Sequence, residues 1–250
     1  MHTGRFIWHD LITPDLAGSR AFYEAVLGWN TVEWGGPEDD PFPQPYTMHQ
    51  AGGAPMPQGG FIPMEGQRAS WFANVITDDA DALAARVAPA GGTVARGPFD
   101  IPTVGRNVIV QDPHGAQLGF IAFFGDGMAP PTAPSPAGTF VWDELMTTDP
   151  AAAAAFYGAV IGWTPAPFDG PVDYTLFSAG DVQTGGMMQL QPGTSSGSPT
   201  STSTTWMPPR AWSSSTTASS WRRPSRCRAS AASPSSRTRR ARASASSSRR

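Results

Sequence analysis

The 250-residue chain has no lysine, a single cysteine and no acidic residue after Asp181. Each shortage excludes something. Cys227 alone cannot build a disulfide framework or a Cys-rich zinc site. No apolar run approaches the length of a membrane span, and Met1 is not followed by a basic-then-apolar leader, so a cytoplasmic protein without a membrane partner is expected. Cations are scarce where acids are common. The first 200 residues carry all 20 acidic residues against six arginines, a net charge of −14. Binding a polyanion needs clustered cations, so this part is a poor nucleic-acid binder. The other eleven arginines fall in the last fifty residues, among Ser, Ala, Thr and Pro.

What the sequence does have is a repeat. GRFIWHDLITPDLAGSRAFYEAVLGW (4–29) aligns without a gap to GTFVWDELMTTDPAAAAAFYGAVIGW (138–163), at an offset of 134. Each copy opens on strand-like alternation. Asp15 and Asp149 are placed to cap the helix that follows, Pro150 suits its first position, and Gly28 and Gly162 suit its end. Phe22, Val26 and Leu27 lie at helical spacing, as do Phe156, Val160 and Ile161. PYTMHQAGG (45–53) then resembles DYTLFSAGD (173–181), and both lead to a Gly-Gly pair. Between the copies, 71–124 follows the same plan, with a helix from Asp79 to about Val87 and a last strand over 118–124. Strand, helix and three strands make one unit, and three such βαβββ units are legible. The expected fold is α+β: paired units in a cupped mixed sheet, in tandem, with the second domain incomplete. Residues 4–124 make one complete domain, 125–137 a Pro/Gly linker, 138–190 half of a second domain, and 191–250 a disordered Ser/Arg-rich tail.

The Phe-Tyr and Leu-Gly-Trp helix end, with an Asp-Pro-His-Gly turn (112–115) before the final strand, resembles the vicinal oxygen chelate superfamily. That group includes glyoxalase I, bleomycin-resistance proteins and extradiol dioxygenases, and the tandem arrangement resembles its tandem glyoxalase-like type. The resemblance implies a divalent ion such as Fe, Ni, Zn or Mn in members that use one. The ion would sit in a cup made by two units, with ligands from each first strand and from the last strand. The positions that match here are Trp8, Trp142, about Ser70 and Gly119. None is a ligand, so no cofactor is expected. His9 stands one residue from the right place and, by strand alternation, on the other face; it is either a ligand or a surface or interdomain histidine. His114 reads as a solvated turn residue, and His49 stays undecided. Asp79 and Asp81 open a helix, where acids complement the dipole.

If Trp8 points into the cup, so does Asp10, and the repeat extends this to Trp142 and Glu144. An aromatic plus a carboxylate suits a flat organic ligand, the indole offering stacking area and the acid an acceptor or a base. Tyr46, Met48 and Asn74 are further lining candidates. Arg106 either holds an anionic ligand or pairs with Asp10, and Trp8 and Asp10 either contact a ligand or are structural. The expected function is a metal-independent glyoxalase-like protein that binds or modifies a small planar metabolite or antibiotic. The alternative is a metal-dependent lyase or dioxygenase. A third reading is nucleic-acid binding through the tail.

The tail has another explanation. The composition indicates a GC-rich gene, and, with codons chosen within the synonymous sets, reading from the third base of each codon turns Ser201 onward into Asp-Val-Asp-Asp-Val-Asp-Ala-Ala-Ala-Arg-Val. That parallels TDDADALAARV (77–87), and Trp206-Met207 forces an Asp with no codon choice. Residues 227–246 can be shifted, again by choice among synonymous codons, to a sequence containing Gly-Arg-Phe-Ala-Val-Leu-Thr-Asp-Pro-Gln-Gly, parallel to 105–115. A frameshift would remove the fourth unit. Leaving about 500 Å² of apolar sheet uncovered would then forfeit on the order of 12 kcal/mol, so the half domain should be unstable, self-associate or borrow a partner. Resequencing across codons 190–201 should reveal a gained or lost base. A confirmed frame, together with a tail that resists limited proteolysis, would contradict this.

Overall fold

Each alternating stretch forms a strand, and each Asp-capped segment forms a helix. The computed structural model describes residues 2–36, 45–125, 127–130 and 135–190, and the backbone of 201–205. Unit one comprises β1 (Phe6–Thr13), α1 (Leu16–Leu27), β2 (Asn30–Trp34), β3 (Tyr46–Gln50) and β4 (Gly59–Pro63). Unit two has β5 (Ser70–Ile76), α2 (Ala80–Val87), β6 (Thr93–Ile101), β7 (Gly105–Gln111) and β8 (Gln117–Phe123). Unit three has β9 (Trp142–Thr147), α3 (Pro150–Ile161), β10 (Thr164–Pro167), β11 (Thr175–Ala179) and β12 (Val182–Gln189); β13 (Ser201–Thr205) follows. Asp15, Asp79 and Asp149 cap the three helices by accepting from the N–H three residues on, at 2.8, 2.9 and 3.0 Å. Gly28 and Gly162 close α1 and α3 at φ 66° and 83°, a conformation that a side chain would strain.

Units one and two share an eight-stranded sheet in the order β2-β3-β4-β1-β5-β8-β7-β6. Their first strands, β1 and β5, pair antiparallel at its centre, and each unit's last strand lies parallel to its own first. Unit three forms a second sheet, β10-β11-β12-β9-β13. There β13 runs antiparallel to β9, as β5 does to β1. The tail expected from residue 191 thus contributes an edge strand at 201–205, because an open β9 edge leaves backbone donors and acceptors to be paired. The rest of that tail, 191–200 and 206–250, lies outside the described residues.

The two copies of the repeat grip each other reciprocally. Trp29 Nε1 donates to the Gly138 carbonyl at 2.7 Å, and its counterpart Trp163 donates to the Gly4 carbonyl at 2.7 Å. Gln58 Nε2 also donates to Gly138 (3.0 Å), and Thr184 Oγ1 to Gly4 (3.1 Å). Phe140 of the second copy stacks on His9 of the first at 4.0 Å and packs near Trp29 and Trp71. Phe6 of the first packs on Trp163 of the second at 5.6 Å. His9 Nε2 bonds Asp143 Oδ1 at 2.9 Å, and these two residues occupy the same position in the two copies. Contacts of i on j and j on i define a local two-fold between units one and three.

Unit three packs its α3 side on unit two: Leu145, Phe156, Tyr157, Val160, Trp163, Phe177 and Met187 share one core with Leu83, Val87, Val108, Val110, Leu118 and Phe120 of unit two. In α3 the helical stripe is buried, with Phe156 and Val160 at 1% and 0% exposed. The same stripe in α1 is not: Phe22 and Val26 are 55% and 60% exposed. Helical spacing marks an apolar face, and only a neighbour buries it.

Trp29→Phe and Trp163→Phe keep an aromatic ring but remove the N–H bridging the copies together with part of the buried indole. Each should cost about 2–4 kcal/mol in urea unfolding. An unchanged midpoint would show that these bonds do not hold the copies together.

Candidate functional site

Residues directly opposite each other on paired strands share a face of the sheet. Trp8 lies opposite Asn74, Asp10 opposite both Phe72 and Gly60, Met48 opposite Gly60, and Asn74 opposite Gly119. One concave face therefore carries Trp8, Asp10, Tyr46, Met48, Phe72 and Asn74. His9, Leu11, His49, Phe61, Ala73 and Val75 line the opposite, core side, as the alternation requires.

Trp8, Asp10 and Tyr46 form a closed hydrogen-bonded group. Trp8 Nε1 donates to Asp10 Oδ1 at 3.1 Å and to the Tyr46 hydroxyl at 3.0 Å, and the Tyr46 hydroxyl donates to Asp10 Oδ1. Asp10 is 5% exposed. Burial raises its pKa to about 6, against the opposing pull of the Tyr46 and Trp8 hydrogen bonds, the nearby His9 and the Gly60 backbone. This is the elevation that no sequence feature showed. Beside the group, Asn107 Nδ2 donates to Asn74 Oδ1 at 3.1 Å, with both side chains buried.

Unit three repeats the group. Trp142 Nε1 donates to the Tyr174 hydroxyl at 2.7 Å, and that hydroxyl donates to Glu144 Oε1 at 3.0 Å. Burial, with Glu144 adding to it, pushes the Tyr174 pKa well up. Tyr174 stands in DYTL where Tyr46 stands in PYTM, so aligning the two segments was enough to find it.

Arg106 is elsewhere. It reaches Asp81 on α2 and Asp100 on β6 (2.7 Å to the latter), at the exposed helix side of the sheet, and meets neither Asp10 nor the cup. The reason is its register: Asn107, next in β7, points to Asn74, so Arg106 points away. His9 is the interdomain histidine, buried against Asp143. His49 belongs to the core, its ring stacked on Trp29 at 4.2 Å, and burial lowers its pKa to about 3, keeping it neutral. His114 sits in the turn, its N–H donating to Asp112 Oδ1 at 2.9 Å. Asp79 is a helix cap, and Asp81 an ion-pair partner of Arg106.

The metal positions are now fixed by register. The counterpart of Trp8 in unit two is Phe72, not Ser70, because Asn74 pairs with Gly119 as Asp10 pairs with Gly60. The repeat also makes Gly60 the counterpart of Gly119. The four positions thus hold Trp8, Phe72, Gly60 and Gly119. A Cβ on Gly60 would lie 2.1 Å from the Tyr46 hydroxyl, and one on Gly119 would lie 2.0 Å from Asn74 Oδ1. Polar side chains from neighbouring strands fill the room a ligand side chain would need. Among the described residues no three His, Cys, Asp or Glu side chains are grouped to hold a metal ion. The donors present do not fit one. Nor is any described helix long and apolar enough to cross a membrane.

Comparison with known proteins agrees with this architecture. Residues 2–120 match the family described as Glyoxalase/Bleomycin resistance protein/Dioxygenase superfamily, and 139–180 match a bleomycin resistance protein-like N-terminal family. The chain is 34% identical over 193 residues to the protein named glyoxylase CFP32 of Mycobacterium tuberculosis, covering 73% of this chain and 70% of that one. It is 32% identical over 199 residues to the anthracycline biosynthesis protein DnrV of Streptomyces peucetius, with the same coverage. A Mn(II)-bound glyoxalase from Novosphingobium aromaticivorans superposes with a TM-score of 0.55 at 16% identity, over 75% of this chain and 62% of that one. The catechol dioxygenase BphC gives 0.53 at 16% identity, over 76% and 66%. At such identities these structures speak for the fold alone. Paired βαβββ units around a cupped sheet, the family match over 2–120 and relatives above 30% identity place this chain in the glyoxalase/bleomycin resistance protein/dioxygenase superfamily.

Proposed function

We propose that the cup of units one and two binds a small planar organic molecule and acts on it without a metal ion, with Asp10 as proton acceptor. The observation that carries this is the Trp8–Tyr46–Asp10 group, in which Trp8 holds one matched ligand position and the Tyr46 hydroxyl fills the space beside another, Gly60. Trp8 and Phe72 supply aromatic surface beside the acid, a combination that suits a flat ring bearing a hydroxyl or carbonyl. A carboxyl with a pKa of about 6 exchanges its proton near neutral pH, which is what a general base requires. The name of one relative ties it to anthracycline biosynthesis, and anthracyclines are planar, oxygen-rich polycycles. This supports the same ligand class and a role in making or resisting such compounds.

Titration with 1,4-dihydroxyanthraquinone, followed by tryptophan fluorescence, should show saturable binding. Trp8→Ala should weaken it about tenfold, the loss of one stacking contact of about 1–1.5 kcal/mol. One tightly held Fe, Ni, Zn or Mn per chain by elemental analysis, required for binding, would overturn the reading in favour of a metal-dependent lyase or dioxygenase.

Asp10 also makes stability depend on pH. The folded chain retains a proton that the unfolded chain releases between about pH 4 and about pH 6. Stability therefore falls as pH rises through that window, and the loss is complete above it. Asp10→Asn keeps an acceptor for Trp8 and Tyr46 and should be roughly 1–3 kcal/mol more stable than the parent at pH 8, the gain vanishing near pH 4. Urea midpoints at the two pH values measure it, and a gain of equal size at both would show that Asp10 does not titrate in this range.

A further inference from the structure

The local two-fold relates unit three to unit one, so whatever packs on α3 has a counterpart location on α1. Beside the shared core, three contacts of unit two on α3 can be matched to α1. The Phe156 ring lies against Gly92, where a Cβ would come within 2.5 Å of it. Arg86 Nε and Nη2 donate to the Val160 carbonyl at 3.0 and 2.9 Å. The Tyr157 hydroxyl donates to Asp112 Oδ2 at 3.3 Å. The counterparts of Phe156, Tyr157 and Val160 on α1 are Phe22, Tyr23 and Val26, identical in type, with Phe22 and Val26 exposed.

We propose that this face of α1 is the docking surface of a fourth βαβββ unit, encoded one frame away from residues 201–250. The shifted reading, for one choice among the synonymous codons, supplies the partners that α3 uses. With a C-ending codon for Arg210, its Ala-Ala-Ala-Arg-Val places an arginine at the Arg86 position, aimed by the two-fold at the Val26 carbonyl. With a G-ending codon for Arg237, its Thr-Asp-Pro-Gln-Gly places an aspartate at the Asp112 position, facing the Tyr23 hydroxyl. The strand location is also marked: Ser201–Thr205 already pairs with β9 where the first strand of such a unit belongs, Thr205 opposite Trp142 as Asn74 is opposite Trp8. In the shifted alignment Ser201 corresponds to Thr77. The unit's own strand therefore comes from codons before 201, and the strand observed is a stand-in slipped by seven residues. A second copy of the chain is a poorer occupant, because its α2 is already covered by its own α3.

The test compares the full chain as written with the full chain made from a gene carrying one inserted base within codons 190–200. Hydrogen exchange over 16–27 should be at least tenfold slower in the frame-restored chain. Phe22→Asp should abolish that protection and lower the melting temperature of the restored chain by several degrees, while leaving the chain as written unchanged. Replacing the restored arginine by alanine should remove part of the protection without touching α1. Equal exchange of α1 in both chains, equal tolerance of Phe22→Asp, or a restored chain that folds no better than the chain as written would each overturn the proposal. So would α1 protection in the chain as written that grows with protein concentration, since the occupant would then be a second copy.

Discussion

Trp29 and Trp163 each cross to a backbone carbonyl of the opposite repeat, and most of the architecture depends on this exchange. Each indole closes the helix end of its own unit and anchors the opening residues of the other. The exchange carries Phe140 into the aromatic cluster of unit one and Phe6 into that of unit three. It also brings the two first strands together at His9 and Asp143, where the repeat has a histidine in one copy and an acid in the other. A buried pair of this kind is weak evidence for stability, but it fixes which faces meet. With that orientation set, α3 has one place to go, against α2. A unit that lacks its own sheet partner thereby gains a core.

The same symmetry explains why the cup is asymmetric in use. Units one and two complete a concave face with Trp8, Asp10, Tyr46, Phe72 and Asn74. Unit three reproduces only the Trp–Tyr–acid half, with Glu144 one methylene longer than Asp10. In both copies a glycine stands on the neighbouring strand beside the tyrosine hydroxyl: a Cβ on Gly186 would meet the Tyr174 hydroxyl at 2.2 Å, as one on Gly60 would meet Tyr46. A side chain at either glycine would collide with the phenol, so the glycine and the seated phenol–carboxyl pair go together in both copies. Desolvation, which outweighs the hydrogen bonds at Asp10, then does what no neighbouring charge is needed for.

Much was legible in the chain itself. The offset of 134, the capping aspartates and the terminal glycines are local signals, and local signals fix element type. Strand alternation put Trp8 with Asp10, and Trp142 with Glu144, on one face of their strands because period two leaves only two faces to choose between; that Asn74 lies opposite Trp8 is a matter of register. Alternation also separated His9 from the cup. The same rule, applied with the register, removes Arg106, whose direction depends on Asn107 and hence on a pairing the sequence does not display. Phe72 was missed by two residues although the spacing displays it: it stands seven residues before the capping Asp79, as Trp8 stands before Asp15 and Trp142 before Asp149.

By itself, then, the sequence determined the units, their caps, the absence of ligands at Trp8, Trp142 and Gly119, and the pairing of an indole with an acid. Those are properties of spacing and residue type. Only the tertiary structure decided that unit three packs on unit two, that Phe22 and Val26 stay exposed while Phe156 and Val160 are buried, and that the Asp10 carboxyl is desolvated enough to titrate near pH 6. Burial is a property of neighbours, and a helix stripe or a carboxyl carries no record of whether a neighbour is present.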